Sequence, residues 1–514
     1  MPSAVADTPR ATAPPPFVAR LAGLSADDRL TLLRATHPQY QTHMNVWQVL
    51  LDAFEGEGGF LDGSYLWPYP RESQEDFEKR KTMARYHNYL ETLVDLYVRF
   101  MFTAGVRRES KSPEYNAWIE DVNGAGTPLN DFLKQLAAMA LVNGHACALL
   151  DKTADPAVGP SKADERASVV ASIFTATATA DWRFSGATLT AVKLLEQAPP
   201  VGIVDALPTG ELDVQYLLWD KDGWARFSAD GTLVDGGMPG LGLVPLVVLR
   251  PKPSQRSNML GRALVSNANV IRACFNRAAE EDQVIRDQAF SVLTVSLDKD
   301  ADVDQAKAQL GSVVGTAKAL VVKGTIDYKT PDQQVPGTIR ANIAYLVQEM
   351  FRAAHVRQNK DSLAAESAES IRLQYTELNE MLQGFSKALA QAEKEIARAW
   401  FGWTNTTEQA AQQAYEKAQP QATYPDEFFL DALIDDLTAW AEGIAMELGA
   451  TMTKRIKKRA ARRIDPAMPQ DELEKVDSEI DELVDNPPEP ALGVPLDTGN
   501  PAADLARQQG GAGA

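Results

Sequence analysis

The chain has 514 residues, of which 45% are hydrophobic and 24% are charged, the balance of an ordinary soluble globular protein. At roughly 100–200 residues per domain, it should contain three or four structural units. Its net charge of −19 argues against a sequence-specific duplex-binding surface, which would carry a basic excess. An acidic protein can still enclose nucleic acid if it repels the backbone and lets it pass.

Membrane association is not expected from this sequence. No stretch approaches the roughly 20 apolar residues of a membrane span, and the N-terminus lacks a basic-then-apolar signal pattern. Cys147 and Cys274 each lie in an apolar helical context. We expect both to be buried free thiols in a reducing compartment.

The first part of the chain reads as an unstructured leader followed by a helical block. Residues 1–24 are rich in Ala and Pro, so disorder is expected. Order should begin at Ser25, which with Asp28 makes a start resembling a capping box. The helical block extends to about residue 150 and is interrupted by a Gly/Pro/aromatic loop from Glu55 to Ser73.

After this loop, Ser73 and Asp76 form a second cap for a helical stretch. Its apolar side chains recur at helical spacing and include Met83, Leu90, Leu93, Val94 and Tyr97. A later helix is predicted to break at Gly144 and continue as a strand. Residues 165–250 contain short β-branched or aromatic runs separated by turn signals, which predicts an antiparallel β region.

Two further helices flank a small unit in the middle of the chain. The first helix is predicted over 259–288 and the second over 333–357, each with an apolar stripe. Residues 289–332 read as a mini α/β unit that would bury too little surface to be stable alone. It must therefore pack against the flanking segments of its own chain or against neighbouring chains.

The clearest apolar pattern lies in a long helix within 366–425. The seam has a 4-3-4-3-4-3-4 spacing and consists of Ile371, Tyr375, Leu378, Leu382, Phe385, Leu389, Ala392 and Ile396. Such a seam fits a long core-facing helix, and a free coiled coil is the alternative.

The C-terminal region carries two opposed charge blocks. Residues 454–463 hold seven basic side chains in ten, and an acidic run follows within 471–485. The two blocks could pair as a helical hairpin, or the basic block could contact nucleic acid. Residues 486–514 are expected to be a disordered tail.

The sequence contains little that indicates catalysis or metal binding. The five histidines form no HExxH or HxxxH pair, and no C-x-x-C exists for a zinc site. "GSVVGTAK" places Lys318 too far from the second glycine for a phosphate-binding loop. We predict no cofactor, no metal and no enzymatic activity; a metal-dependent enzyme acting on nucleic acid is the minor alternative.

Several stretches and their order along the chain resemble the portal proteins of tailed bacteriophages, in particular a branch that is often described only as a domain of unknown function. "PLNDFLKQLAAMALVNGHACALLD" is similar to part of their N-terminal helical segment, and "GRALVSNANVIRACFNRAAEEDQ" to their first stem helix. "AAESAESIRLQYTELNEMLQGFSKALAQAEKEIARAW" resembles the long helix after their tunnel loop. The resemblance covers roughly residues 35–450 and rests on the order of elements.

The resemblance implies an α+β, mainly helical portal fold assembled as a ring. The implied parts are a disordered N-terminus (1–24), wing (25–258), first stem helix (259–288), clip (289–332), second stem helix (333–357), tunnel loop (358–365), long wing helix and return (366–425), helical crown (426–485) and disordered tail (486–514).

By the same resemblance, the ring would be a structural channel at a capsid vertex, for DNA entry during packaging and exit at infection. Its implied partners are about eleven further copies of itself, non-specifically bound double-stranded DNA, the terminase packaging motor, the head–tail adaptor, and major capsid or scaffold proteins. It would reside in the virion, and in the host cytoplasm during assembly.

The residues implied to meet DNA lie in a polar loop that joins two helices. Asn359, Lys360, Asp361 and Ser362 would surround the duplex, and the alternative is a solvated turn without DNA contact. Possible crown contacts with nucleic acid are Lys454, Arg455, Lys457, Lys458 and Arg459. The alternative for the whole chain is an intracellular helical scaffold or adaptor without a DNA channel.

Overall fold

The computed structural model describes residues 15–70, 72–103, 105–152, 169–198, 213–288, 292–297, 304, 324–329, 334–356, 368–405, 407–425, 428, 449–464 and 470–486. The chain divides into two compact units, residues 1–428 and 429–514. The described residues form a mixture of helix and sheet in which helix predominates.

The helices are distributed over both units. Those of the first unit are α1 (Pro16–Ala22), α2 (Ala26–Arg34), α3 (Pro38–Glu55), α4 (Gln74–Met83), α5 (Tyr89–Thr103), α6 (Pro113–Trp118), α7 (Leu129–Asn143), α8 (Ala268–Gln288), α9 (Gln334–Ala353), α10 (Ala368–Thr404) and α11 (Glu408–Ala418). The second unit contains α12 (Ala450–Ile464) and α13 (Gln470–Asp485). Among the described residues, no helix combines the length and the apolar character needed to cross a membrane.

The strands of the described residues belong to four antiparallel sheets. They are β1 (Arg107–Glu109), β2 (Ala146–Lys152), β3 (Val169–Thr175), β4 (Thr179–Ser185), β5 (Thr188–Ala198), β6 (Asp213–Asp220), β7 (Trp224–Phe227), β8 (Leu233–Gly237), β9 (Leu246–Leu249), β10 (Val292–Leu297), β11 (Gly324–Lys329) and β12 (Gln421–Thr423). The sheet orders are β3-β2-β9, β4-β5-β6-β7-β8, β1-β12 and β10-β11. The antiparallel β region predicted over 165–250 is therefore confirmed as β3 to β9.

The N-terminus is ordered earlier than predicted. Helix α1 begins at Pro16, and its Val18 is buried against Phe227 of β7 in a small separate core. A proline at the first helical position costs no hydrogen bond, so this short helix can form once Val18 has a partner. Residues 1–14 of the predicted disordered leader lie outside the described residues.

Both predicted serine caps are confirmed, and the second one starts a shorter helix than expected. The Oγ atoms of Ser25 and Ser73 each accept a hydrogen bond at 3.1 Å from the N–H three residues later. The helical spacing from Met83 to Tyr97 does not belong to one helix, because α4 ends at Met83. Asn88 then starts α5 afresh, since its Oδ1 accepts the N–H of Glu91 at 3.0 Å.

The main core lies among α5, α7, α10 and the sheet of β2. From Leu378 to Ile396 every member of the predicted seam is buried, so the core-facing alternative for the long helix is confirmed. Ile371 and Tyr375 fall outside the described side chains. Cys147 and Cys274 are buried free thiols, as predicted.

A buried charged network ties α10 to the β1–β12 pair. Arg108 of β1 donates from Nε and Nη2 to the two carboxylate oxygens of Glu393, at 2.7 and 3.2 Å. The hydroxyl of Tyr424 donates to the same carboxylate at 2.7 Å. Glu393 is only 4% exposed, and these contacts compensate its buried charge.

The predicted helix break at Gly144 is confirmed, and the backbone of a second glycine packs against this residue. Gly144 has φ +89°, and a Cβ atom built on it would lie 2.5 Å from the carbonyl oxygen of Gly261. A Cβ atom on Gly261 would lie 2.0 Å from the carbonyl oxygen of Gly144. The two backbones can approach this closely because neither residue has a side chain.

The first central helix starts later than predicted. Helix α8 begins at Ala268, and the preceding residues from 259 are not helical. Their backbone groups have other partners, because Leu264 N–H donates to Leu141 O and Arg262 N–H donates to Lys252 O, each at 2.8 Å. Apolar spacing alone could not reveal these backbone contacts.

Candidate functional site

Helices α8 and α9 form an antiparallel pair, and the chain between them in sequence contains the paired strands β10 and β11. An ion pair joins Glu281 to Arg340, and farther back Cys274 and Ile343 border one cavity. Residue numbers therefore rise along one helix as they fall along the other. The two strands are also antiparallel to each other, from Val292 opposite Lys329 to Leu297 opposite Gly324. We call this arrangement, α8, α9, β10 and β11, the extended hairpin.

The base of the extended hairpin is anchored in the main core. Ile271 and Phe275 of α8 are buried in the same cluster as Val347 and Met350 of α9. A cavity of about 160 Å³ lies beside Cys274, where burial raises the pKa of the thiol to about 12. The thiol is therefore neutral at physiological pH.

The outer surface of the extended hairpin carries exposed apolar side chains. Tyr345 is 57% exposed, and Val335 and Ile285 are also solvent-exposed.

The Gly/Pro/aromatic loop holds α8 in place, a role that the sequence analysis missed. Asn276 of α8 accepts the Trp67 N–H through Oδ1 at 2.7 Å and donates to the Tyr65 carbonyl at 3.2 Å. The guanidinium of Arg272 lies 5.3 Å from the ring centroids of both aromatic residues. The concentration of aromatic residues in this loop is the sequence feature from which such anchoring could have been predicted.

A buried arginine organises the end of the same loop. Arg80 of α4 is 1% exposed and donates from Nε and Nη2 to the two carboxylate oxygens of Glu72, at 2.7 Å each. Its Nη2 also donates to the Trp67 carbonyl at 2.7 Å. These hydrogen bonds lower the pKa of Glu72. Nearby, the Tyr69 hydroxyl donates to Glu280 of α8 at 3.2 Å.

The end of α9 is a defined cap. His355 has φ +53°, and the N–H of Val356 donates to the carbonyl of Phe351 at 2.8 Å, as in a Schellman motif. The Nδ1 atom of His355 lies 3.0 Å from a carboxylate oxygen of Glu377 on α10. This contact links the two helices on either side of the predicted tunnel loop.

The predicted DNA-contacting loop itself falls in an undescribed part of the chain. Asn359, Lys360, Asp361 and Ser362 lie in 357–367, outside the described residues. The nearest described backbone is well anchored, because the Tyr97 hydroxyl donates to the Ala354 carbonyl at 2.5 Å.

In the second unit, the two charge blocks pair with each other. The Nζ atoms of Lys454 and Lys458 lie 2.6 and 2.7 Å from carboxylate oxygens of Asp485 and Asp481. These contacts define an antiparallel charged hairpin of α12 and α13, which confirms the hairpin alternative.

The remaining residues of the predicted crown contact differ in exposure. Arg455 and Arg459 are exposed on α12, whereas Lys457 is half-buried. Their predicted contact with nucleic acid stays a prediction. Elsewhere, the described residues hold no group of three or more His, Cys, Asp or Glu side chains that could bind a metal ion.

Comparison with known proteins gives matches among solved structures alone. No protein-family model matches the chain, and no curated protein matches it. The neck of an empty gene transfer agent (GTA) particle, computed with C6 symmetry, matches 73% of this chain and 90% of its own, at 12% identity and a TM-score of 0.41. The virion of a native GTA particle matches 82% and 99%, at 13% identity and a TM-score of 0.39. The neck of a native GTA particle, computed with C12 symmetry, matches 74% and 90%, at 13% identity and a TM-score of 0.41.

Proposed function

We propose that this chain is a portal protein: a non-enzymatic subunit of a ring that forms the DNA channel at a capsid vertex. The observation that carries the proposal is the extended hairpin. Its base is buried in the main core, and the chain that leaves the two antiparallel helices forms an antiparallel strand pair between them in sequence. In a portal, these helices would be the stem and the strands would belong to the clip.

Ring assembly would give the exposed parts of the extended hairpin a partner. Tyr345, Val335 and Ile285 are apolar and exposed in the single chain. In a closed cyclic ring, every copy presents the same two surfaces to its neighbours, so such side chains become buried all around. The small clip would gain stability in the same way, by packing on adjacent copies.

The loop after α9 would be the tunnel loop that meets the DNA. One lysine per chain, Lys360, becomes a cationic collar when cyclic symmetry repeats it about twelve times. Contacts to phosphates carry no sequence information, which suits a channel that must pass any DNA. Asp361 beside it would weaken the grip and favour sliding, and Asn359 and Ser362 would add neutral hydrogen-bonding groups.

The other partners follow from this position. The clip would dock the terminase packaging motor and later the head–tail adaptor, while the wing would face the capsid or scaffold proteins. The charged hairpin would form the crown inside the capsid. Because Lys454 and Lys458 are paired with aspartates, the exposed Arg455 is a stronger candidate than these lysines for contact with packaged DNA.

The first test is the mass and shape of the purified full-length protein. At 56.1 kDa per chain, a ring of about twelve copies would have a mass of roughly 670 kDa. We expect light scattering to give a mass of this order and negative-stain microscopy to show annular particles with a central hole. A protein that forms no ring at any concentration or salt would contradict the proposal and favour the scaffold alternative.

A substitution in the loop tests the channel separately from assembly. Lys360→Glu should leave the rings intact and impair DNA packaging or retention, because it adds a like charge beside the phosphates. The measurement is the amount of DNA protected from nuclease in assembled particles. Lys394→Glu, exposed on α10, is the matched control. Normal packaging by the Lys360 variant would show that the loop does not grip DNA.

A further inference from the structure

The charge balance of the chain reverses in one segment of the first unit. Residues 236–279 contain six basic side chains and no acidic one, although the whole chain carries 70 acids and a net charge of −19. Four of the six lie within residues 250–262, which we call the basic loop: Arg250, Lys252, Arg256 and Arg262. Neither the predicted tunnel loop nor the charged hairpin belongs to this segment.

Two of these cations start from opposite positions on the backbone. Pro253 and Gly261 form an antiparallel bridge, so the next residues to face each other are Lys252 and Arg262. The Arg262 N–H donates to the Lys252 carbonyl at 2.8 Å and holds this register. Like charges at directly opposite positions repel each other, because their Cβ atoms lie only about 5 Å apart. An anion bound between the two side chains would remove this repulsion.

The exposed cations of the basic loop have no carboxylate partner in the described part of the chain. Lys252, Arg256 and Arg262 are all exposed, and none of them forms an ion pair with a described residue. Arg250 is engaged with the loop itself, because its Nη1 donates to the Asn258 carbonyl. The three exposed side chains can therefore reach an anionic partner without first breaking an ion pair.

The outer surface of the basic loop offers charge and hydrogen-bonding groups but no large apolar anchor. Its two large apolar side chains, Met259 and Leu260, lie in one buried cluster with Trp182 of β4. The Nδ2 atom of Asn258 donates to the Gly186 carbonyl at 2.7 Å, which ties the loop to the β4–β5 turn. Interfaces between proteins usually centre on buried apolar and aromatic side chains and are depleted in lysine. The basic loop lacks such a centre.

We propose that the basic loop binds the phosphodiester backbone of nucleic acid. Lysine and arginine neutralise phosphates and release their condensed counterions, and a segment without acids matches a partner of uniform negative charge. Contacts to phosphates carry no sequence information, so this surface needs no basic excess in the chain as a whole. The proposal requires neither a ring nor a channel, and the contact is separate from those proposed for Lys360 and Arg455.

The test is a titration of a short fluorescent DNA duplex with the full-length protein, followed by anisotropy at several salt concentrations. The variant Lys252→Gln/Arg256→Gln/Arg262→Gln removes three charges, so its affinity at low salt should fall about tenfold or more. The slope of log K against log salt should become shallower by about two to three, since each neutralised phosphate contributes about 0.9. Absence of duplex binding by the wild type, or equal affinity and slope in the variant, would overturn the proposal.

A matched variant separates the basic loop from a general loss of positive charge. Arg99→Gln/Lys387→Gln/Lys417→Gln removes three exposed cations from α5, α10 and α11, and it should bind the duplex as the wild type does. The charge-preserving variant Arg256→Lys/Arg262→Lys should keep the salt slope, because lysine neutralises a phosphate as arginine does. A loss of affinity in either of these variants as large as that in the first would contradict the proposal.

A competition experiment separates nucleic acid from an acidic protein surface. We expect an unlabelled duplex of unrelated sequence to displace the probe from the wild type, and polyglutamate to displace it poorly. Polyglutamate that binds the wild type more tightly than the duplex, and binds the first variant weakly, would assign the basic loop to an acidic protein partner and overturn the proposal. The mass and shape of the particles test the portal proposal independently, so either proposal can fail alone.

Discussion

The charged groups in the core and those of the charged hairpin have different surroundings. In the first unit, Arg108 donates two hydrogen bonds to the carboxylate of Glu393, and the hydroxyl of Tyr424 donates a third. In the second unit, pairs such as Lys458 with Asp481 lie at the surface. Water can replace a partner at the surface but not in the core, so each buried charge depends on its own partner. The comparison predicts large effects in the core and small, salt-dependent ones in the hairpin.

The largest effect is expected from Glu393→Gln. This substitution removes the buried carboxylate charge that compensates the half-buried Arg108, so the free energy of unfolding should fall by about 3–5 kcal/mol. Urea unfolding followed by circular dichroism measures the loss. Glu380→Gln, exposed on the same helix, should change little. Equal free energies of unfolding for the two variants would contradict the expected difference between buried and surface charges.

The opposite sign is expected for Asp151, a half-buried carboxyl that has no ion-pair partner among the described residues. Burial raises the pKa of Asp151, at the end of β2, to about 6. The folded state therefore binds a proton between roughly pH 4 and 6 that the unfolded state does not hold, and stability falls as pH rises through this window. Asp151→Asn should remove this fall and stabilise the protein by about 2–3 kcal/mol at pH 7.5.

The pH profile of the unfolding free energy is the measurement for this variant. The gain over the wild type should shrink toward pH 4. Asp95→Asn, exposed on α5, is the matched control and should leave the profile unchanged. A gain that is the same at pH 4 and pH 7.5 would show that ionisation of Asp151 is not its cause.

A neutral buried contact should have an intermediate effect. Asn276→Ala leaves the Trp67 N–H without its acceptor, so the unfolding free energy should fall by about 1–3 kcal/mol. Faster hydrogen exchange in the Gly/Pro/aromatic loop would confirm that the loop has loosened from α8. Asn269→Ala, exposed on α8, should leave that exchange unchanged.

The smallest effect is expected in the charged hairpin. The hydrogen bond from Lys458 lowers the pKa of Asp481, so this pair contributes stability above the ordinary carboxyl range. That contribution is lost as pH falls through the depressed pKa of the folded state. Lys458→Gln should slightly increase hydrogen exchange in α12 and α13 at low salt, and the difference should vanish at high salt. A large increase in hydrogen exchange that does not depend on salt would show that this pair behaves like the buried charges.

Helical spacing of apolar residues and helix caps could be predicted from the sequence, whereas contacts between distant segments could not. The buried seam from Leu378 to Ile396, the serine caps and the break at Gly144 follow from local spacing and local chemistry, and the structure confirms them. The start of α8 at Ala268 was missed because backbone contacts from Leu141 and Lys252 hold the preceding residues out of a helix.

The candidate site was predictable only in part, for the same reason. Opposed charge blocks close in sequence indicated the charged hairpin, because nearby segments pair at little entropic cost. The anchoring of Trp67 by Asn276 joins residues more than two hundred positions apart. No local pattern in the chain encodes that pairing.

The meeting of Gly144 and Gly261 has a consequence for how this chain can evolve. Each glycine leaves no room for a side chain on the other, and Gly144 also requires a left-handed backbone. A single replacement at either position is therefore blocked by its counterpart, and a double replacement is blocked further. Distant relatives that keep this crossing should retain both glycines even where every surrounding residue has diverged.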